Sequence, residues 1–462
     1  MPKEKRGSKK AAAVVVLPAG KPSSTDDAQT FKAQTSAARP QGRAQDALLA
    51  KTASNHDDDD DNMSTASDVT VSTARGSDDD GMSEIESYES KIKETMDLAL
   101  EKSAQTRIKA LEALTTALQK RVMTSFLMDN YVTMTDLVER ALNKGRGTEM
   151  VAGAKLGSLI ILTLATYEEA EQVYQTLQPL LLKIMKDPSA TPAARQQCTT
   201  LLALSTFLAC QDVTELKTTC NALHSIYAQS LPKGNGDLPT PSAAVTAFHA
   251  AAVGGFCLLI SIMSPTYVYS IADSFVKEMF SLLRSSDVDM RITAGEAVAL
   301  CYELARQHDD DYCWIKENEL SEALNELATD SQKFRAKKDR KQQRASFRDV
   351  IRTVDEGELP YEAITIGPHH QLQQLELDSW SLKLQYQALC NSLAIGINHH
   401  FTYNVGIRNI YDLGPPPLKV DVNALLRSKV KRPNHQSDAT KSRIRARNKT
   451  RDNRAEDKQY FD

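Results

Sequence analysis

The sequence predicts an all-α fold, and two observations carry that prediction. From about residue 89 to residue 329, apolar residues recur at the three- and four-residue spacing of amphipathic helices, with little of the alternation that marks strands. Short turns, such as those at Lys186-Asp-Pro-Ser189 and Ser264-Pro265, separate the helical stretches. A weak repeat also runs through the region, so the helices are expected to form similar units that stack on one another.

The repeat consists of small and apolar residues at fixed offsets. Its copies start about 43 to 45 residues apart, except for one gap near 53 that contains a Gly- and Pro-rich insertion at 232–241. A period in this range is typical of armadillo and HEAT helical pairs. Such pairs bury their apolar faces only by stacking, so we expect an armadillo/HEAT-like solenoid. The copies begin at Arg107, Ala152, Arg195, Phe248 and Arg291.

Composition divides the chain into four parts. Residues 1–88 form an acidic, Ser-rich tail with too few large apolar residues to offset chain entropy, so disorder is expected there. Residues 89–330 hold the repeats. Residues 331–414 are predicted to contain an exposed basic helix over 331–355, a possible hairpin at Ile364-Thr-Ile366 and Leu375-Glu-Leu377, and helices near 379–395 and 398–413. Residues 415–462 form a second predicted disordered end, rich in Arg and Lys.

A charge-free apolar run at 243–263 is long enough to raise the question of a membrane span. The run contains His249, Gly254 and Ser261, and other charge-poor stretches flank it. A fully buried helix of the solenoid is therefore the favoured interpretation, with a transmembrane helix as the alternative.

The sequence offers no recognisable enzyme or cofactor site. A phosphate-binding G-x-x-x-x-G-K loop, an H-E-x-x-H motif and a G-x-S-x-G motif are all missing. The seven Cys residues form no C-x-x-C pair, and the pair His399-His400 is better explained by capping or packing than by metal binding, because adjacent helical residues diverge. We expect no enzyme, no cofactor, no metal and no small-molecule substrate.

Charge is strongly segregated along the chain. Although the formal net charge is −4, residues 427–454 carry eleven Lys or Arg against two Asp. At about 100° per residue, the alternating cations of this tail would form two ridges on a helix, separated by a strip of small residues that includes Ala446. A rod of that shape fits a groove between phosphates; non-specific polybasic binding or a nuclear-import signal is the alternative. The candidate RNA-binding residues are Lys441, Arg443, Arg445, Arg447, Lys449, Arg451 and Arg454.

The predicted basic helix is a second candidate for phosphate binding. Residues 332–352 hold nine Lys or Arg against two Asp, so pairing within the helix cannot balance the charge. Arg344 and Arg348 share a face, and a nuclear-import signal or a merely solvated face remain open alternatives. The residues selected here as candidate RNA contacts are Lys337, Lys338, Arg340 and Arg344.

Several long motifs resemble the interferon-related developmental regulator family. The motifs are Glu101-Lys-Ser-Ala-Gln-Thr-Arg107, Arg291-Ile-Thr-Ala-Gly-Glu-Ala-Val-Ala-Leu300, Leu375-Glu-Leu-Asp-Ser-Trp380 and the tail ending Arg451-Asp-Asn-Arg-Ala455. The resemblance implies an armadillo-type fold without catalytic activity. It also implies one of two roles described for the family: nuclear transcriptional co-regulation, or occupation of translationally idle ribosomes.

We therefore expect a non-enzymatic regulator that binds ribosomes or structured RNA through the basic tail and the solenoid, and so occludes translationally idle ribosomes. The expected partners are the ribosome and ribosomal RNA, with no membrane, and the expected location is cytoplasm and nucleus. The alternative is a nuclear co-regulator whose solenoid is a scaffold for transcription factors or deacetylase complexes.

Overall fold

A computed structural model describes the backbone of residues 78–234, 236–329, 337–368 and 371–417, with side chains from 85 onward except those of 337–340. Twelve consecutive α-helices form the helical array. They are α1 Asp78–Leu98, α2 Ala104–Lys120, α3 Thr124–Lys144, α4 Thr148–Leu164, α5 Glu168–Lys186, α6 Pro192–Ala209, α7 Val213–Tyr227, α8 Ala243–Ile260, α9 Pro265–Leu282, α10 Val288–Arg306, α11 Glu317–Thr329 and α12 Lys337–Ile351.

The helices of the array pack as pairs. Each even-numbered helix packs against the odd-numbered helix before it and against the next even-numbered helix, so α2, α4, α6, α8, α10 and α12 form one continuous layer. This layer holds the most buried helices, α4 and α10, because their neighbours lie on several sides. The arrangement confirms the predicted all-α helical-repeat solenoid.

Arginines at the start of three repeats tie successive pairs together. Each lies near the N-terminal end of an even-numbered helix, hydrogen-bonds a carbonyl oxygen that lies five to ten residues before it in the chain, and also contacts the next even-numbered helix. The repeat seen in the sequence therefore marks an interaction as well as a packing period. The contacts with the next even-numbered helix are Arg107 with Glu149, Arg195 over the ring of Phe248, and Arg291 with Gln343.

The array begins earlier than the sequence suggested. Helix α1 starts at Asp78, inside the segment 1–88 that was predicted to be disordered. The acidic composition of the segment predicted disorder, but the later turns of α1 contain apolar residues. Ile92 and Met96 are buried, and the Tyr88 hydroxyl donates a 3.3 Å hydrogen bond to the Ala117 carbonyl oxygen on α2. These contacts order the segment. Residues 1–77 lie outside the described structure.

Helix α8 covers most of the charge-free run at 243–263. It is the one helix of the described ranges that is long and apolar enough to cross a membrane, and two-thirds of that window is buried inside the protein. Phe248 and Val253 are fully buried, and a Cβ at Gly255 would lie 2.8 Å from the Cβ of Ala203 on α6. The burial supports the core-helix interpretation.

A C-terminal module follows the array. It contains an antiparallel hairpin, whose register pairs Ile364 with Leu375, and three short helices. The predicted hairpin is thereby confirmed. The predicted helix near 398–413 is broken at Asn404 into two shorter helices. The side chain of Asn404 caps the second of them by accepting hydrogen bonds from the Gly406 and Ile407 amides. The elements are β1 Glu362–Ile366, β2 Gln373–Leu377, α13 Trp380–Leu393, α14 Ile397–Tyr403 and α15 Val405–Ile410.

The module lies across the even-numbered helices. Helix α13 packs against α4, α8 and α10, α14 packs against α2, and α15 returns to α4. Two polar side chains of the module form hydrogen bonds with the array. Gln385 bonds the Ser261 hydroxyl at 2.9 Å, and the buried ring of His400 bonds the Leu118 carbonyl oxygen at 2.8 Å. The chain thus folds back from its last helical pair to its first.

Candidate nucleic-acid interface

Helix α12 is anchored to the array along one side. Gln343, Phe347 and Val350 are buried there, at the three- and four-residue spacing that places them on one face. Gln343 accepts a 2.6 Å hydrogen bond from Arg291 of α10 and donates one of 3.0 Å to the Leu327 carbonyl oxygen. These contacts give α12 a fixed orientation.

The opposite side of α12 carries what we call the basic stripe, formed by Lys341, Arg348 and Arg352. All three residues are exposed, and intervals of seven and four residues align them along one face of the helix and its continuation. At 1.5 Å per residue, the stripe is about 16 Å long. The side chain of Arg352 keeps 59% of its surface in solvent. The row of cations faces solvent because the apolar residues on the other side of α12 are buried against the array.

Among the described side chains, that of Asp349 places an acidic group beside the stripe. The Asp349 carboxylate lies 4.0 Å from Arg352 and 3.5 Å from Lys383, whose ammonium group also lies 4.5 Å from the Trp380 ring centroid. Partly exposed pairs at such distances contribute little, because water still screens them. The stripe therefore keeps a net positive charge. Asp355 and Glu356, both exposed, follow directly and mark its end.

The structure places the candidate residues of the basic helix unevenly. The helix spans Lys337–Ile351 and continues as a π-helix over Arg352–Glu356, whereas residues 331–336 of the predicted 331–355 lie outside the described residues; the helix is not exposed all round as expected. Lys337, Lys338 and Arg340 lie in its first turn, and their side chains fall outside the described set. Arg344 is half-buried, so it lies toward the edge of the solvent-facing side.

Sequence reasoning gave Arg352 no role. Phe347, Val350 and Val354 recur at intervals of three and four residues, and they mark the buried side of α12 and of the turn that follows it. That pattern could have identified the opposite face and with it Arg352.

The tail candidates all lie in the part of the chain beyond 417, which the structure does not describe. The structure therefore does not bring them together with α12. They are Lys441, Arg443, Arg445, Arg447, Lys449, Arg451 and Arg454.

The point at which the chain enters this tail is fixed by Arg408. Only 1% of that residue is exposed, and burial lowers the pKa of its guanidinium below the usual value. The guanidinium donates to the carbonyl oxygens of Phe401 at 3.0 Å, Gly414 at 2.8 Å and Pro415 at 3.1 Å, and to the side-chain oxygen of Gln373 on β2 at 2.9 Å. The last described turn is thereby held against the hairpin.

The chemistry available at this surface is charge attraction and hydrogen-bond donation. Guanidinium groups suit phosphate oxygens because they present several N–H donors in one plane. Among the residues described, no three His, Cys, Asp or Glu side chains come close enough to hold a metal ion. A surface of this kind can bind a polyanion.

Comparison with known proteins identifies the same family by two routes, a family sequence model and individual relatives. A sequence model of the interferon-related developmental regulator family matches residues 61–355. The chain is 37% identical to pig interferon-related developmental regulator 1 over 378 residues, which are 81% of this chain and 83% of the relative. The human protein of the same name is 36% identical over the same shares, and mouse interferon-related developmental regulator 2 is 35% identical over 82% of this chain and 85% of its own.

The family match spans the whole array, and the relatives are matched over more than four-fifths of their length. Three of the motifs that carried the resemblance in the sequence fall within the repeats and the C-terminal module, and the fourth lies in the tail, outside the described residues. The chain belongs to the interferon-related developmental regulator family.

Proposed function

We propose that this family regulator is non-enzymatic and acts by binding ribosomes or other structured RNA. The basic C-terminal tail and the stripe on α12 would supply the contacts. Occupation of an RNA-walled cavity by the tail would exclude messenger or transfer RNA from an idle ribosome. Regulation by occlusion is steric and requires no catalytic group.

The observation that carries the proposal is the basic stripe. Lys341, Arg348 and Arg352 point into solvent from a helix whose other side is tied to α10, so their spacing is set before any partner binds. A preorganised row of cations loses less side-chain and backbone freedom on binding than an unanchored one. Counterion release from the partner's phosphates then favours the complex.

The tail adds a much larger charge. Its eleven cations against two Asp at 427–454 would release several counterions on an RNA surface. Most of these cations are Arg, which pairs with phosphates and stacks on bases. The tail follows directly from the segment that Arg408 holds, so it starts at a defined place on the folded part.

The alternative, a nuclear co-regulator with the solenoid as scaffold, needs a free face for protein partners. The C-terminal module packs against α2, α4, α8 and α10 and so covers part of the even-numbered layer. Less of that layer is left for a protein partner. We therefore favour RNA as the partner, with the protein in cytoplasm and nucleus.

Sucrose-gradient sedimentation of cell lysate tests the proposal. We expect the full-length chain to co-sediment with ribosomal particles, and a chain lacking 418–462 to remain largely in the soluble fractions. If the deletion left co-sedimentation unchanged, the tail would not be part of the ribosomal contact. If the full-length chain also remained in the soluble fractions, the ribosomal proposal would be wrong and the co-regulator alternative would be favoured.

A further inference from the structure

We infer that Lys383 of the C-terminal module is a positioning residue for the basic stripe. Its ammonium group offsets the charge of Asp349, and this leaves the guanidinium of Arg352 available to a phosphate. The inference rests on the proposed function and deepens it, because it assigns a part in nucleic-acid binding to a residue outside the stripe. The binding surface is thus built from two parts of the fold, α12 with its continuation and α13.

Asp349 lies between the two cations. One carboxylate oxygen, Oδ2, is 3.5 Å from the Lys383 ammonium group, and the other, Oδ1, is 4.0 Å from a guanidinium nitrogen of Arg352. A nitrogen-to-oxygen distance of 4.0 Å is too long for a hydrogen bond, so Arg352 donates none to this carboxylate. The shorter contact of Asp349 is the one with Lys383.

Without Lys383, the sequence would favour a pair between Asp349 and Arg352. The two residues are three positions apart on the helix and its continuation, a spacing at which opposite charges attract. A guanidinium that is held by a carboxylate offers fewer N–H donors to a phosphate. Lys383 offsets the charge of Asp349 and so weakens the competing pair. The next acid along the chain, Asp355, accepts a 2.6 Å hydrogen bond from Ser321 of α11.

The position of Lys383 is set by a buried tryptophan. Its ammonium group lies 4.5 Å from the centroid of the Trp380 ring, and Trp380 is fully buried. The indole nitrogen donates a 2.7 Å hydrogen bond to the hydroxyl of Thr353, the residue that follows Arg352. The Trp380 amide also donates to the Glu303 carboxylate of α10. These contacts place the cation beside the end of the stripe.

Exposure distinguishes Lys383 from the stripe itself. The side chain of Lys383 keeps 23% of its surface in solvent, against 59% for Arg352, and Lys341 and Arg348 are exposed as well. A cation that is more than three-quarters covered presents little of its surface to a phosphate backbone. We therefore assign the phosphate contact to Arg352, and to Lys383 the neutralisation of Asp349.

The salt dependence of RNA binding tests this role. The probe is a labelled RNA hairpin whose stem is longer than the stripe, bound by the full-length chain and followed by fluorescence anisotropy. Lys383→Met keeps an apolar stem on the Trp380 ring and removes the charge. It should lower the affinity about two- to fivefold and reduce the slope of log affinity against log salt by about 0.7 to 0.9, the contribution of one phosphate contact. Adding Asp349→Asn should restore both, because Arg352 then has no carboxylate to pair with.

Two single variants serve as controls. Arg352→Gln removes the proposed contact itself and should reduce the slope by the same amount, about 0.7 to 0.9. Lys217→Met is the matched control, because Lys217 also lies over an aromatic ring, with its ammonium group 4.8 Å from the centroid of Tyr267, but belongs to α7. It should leave the affinity and the slope unchanged.

The variants distinguish positioning by Lys383 from direct contact and from a structural role. If Lys383→Met reduces the slope as much with Asp349→Asn as without it, Lys383 contacts the phosphate itself and the positioning role is wrong. If it changes nothing while Arg352→Gln does, Lys383 has no part in binding. A lower melting temperature with a loss that Asp349→Asn does not restore would make the role structural. If the parent does not bind the hairpin, or Arg352→Gln binds it unchanged, the proposed function of the stripe itself fails.

Discussion

Arg291 of α10 donates a hydrogen bond of 2.6 Å to the side-chain oxygen of Gln343 and so ties the fifth helical pair to the sixth. The same guanidinium bonds the Ser285 carbonyl oxygen at 2.7 Å, and only 2% of the residue is exposed. The contact links the stability of the array to the orientation of α12. The orientation of the basic stripe therefore depends in part on a buried residue outside the stripe.

Replacing Arg291 should destabilise the fold. Arg291→Ala removes the donor to the buried Gln343 oxygen and to the carbonyl oxygen of the half-buried Ser285, which costs about 1–2 kcal/mol of the free energy of unfolding. Arg443→Ala, in the tail, should change it by roughly zero. Urea unfolding followed by circular dichroism measures both variants. Equal midpoints would show that the repeat arginine contributes nothing at this position.

Packing between α10 and α12 gives a second prediction. A Cβ at Gly295 would lie 2.6 Å from Cε1 of Phe347, too close without a shift of the ring. Gly295→Ala should therefore cost about 1–3 kcal/mol and speed amide hydrogen exchange in α12. Calorimetry and exchange mass spectrometry measure the two effects.

Gly254 provides the matched control for Gly295. It also lies inside a helix of the array, yet nothing stands within 4 Å of its missing Cβ. Gly254→Ala should stabilise the protein by about 0.5–1 kcal/mol, because alanine restricts the unfolded chain and favours helix. If both variants shifted the melting temperature in the same direction, the close approach of Phe347 would not be the cause.

The buried ring of His400 predicts a loss of stability in mild acid. Burial lowers its pKa to about 4, and the ring bonds the Leu118 carbonyl oxygen. Its unfolded pKa is near 6.5, so the unfolded state binds the proton first. The stability due to the neutral ring is thus present above about pH 6.5 and is lost as the pH falls toward 4.

Between pH 7 and pH 5, this linkage should reduce the free energy of unfolding by about 1–2 kcal/mol. His400→Gln keeps a hydrogen-bond donor and removes the titration, so it should flatten that part of the pH profile. Chemical unfolding at several pH values measures the difference between parent and variant. Parallel profiles for the two proteins would mean that His400 does not titrate as its burial implies.

Local features of the fold were readable from the sequence because they depend on nearby residues. The hairpin and the apolar helix α8 follow from spacing within about 20 residues, and the repeat arginines follow from the longer repeat period. The return of the C-terminal module to the start of the array did not follow. His400 and Leu118 are 282 positions apart, and periodicity contains no information about which distant surfaces meet.

The candidate site was likewise predictable where it depends on local sequence and not where it depends on distant contacts. Charge counting found the basic helix and the tail, and Phe347 with Val350 could have shown which side of the helix is free. The anchor at Arg408 was not predictable, because it depends on acceptors supplied by Gln373 of the hairpin and by Pro415. A lone Arg in a helical pattern looks like any surface cation.

The salt dependence of RNA binding tests the central claim most directly. For a protein that binds RNA phosphates through its tail, the logarithm of the affinity falls with the logarithm of salt concentration in proportion to the phosphates neutralised. Changing Arg443, Arg447 and Arg451 to Ala should reduce that slope by about 2 to 3, since roughly 0.7 to 0.9 is lost per contact. Parent and variant with the same slope on ribosomes or structured RNA would contradict the account.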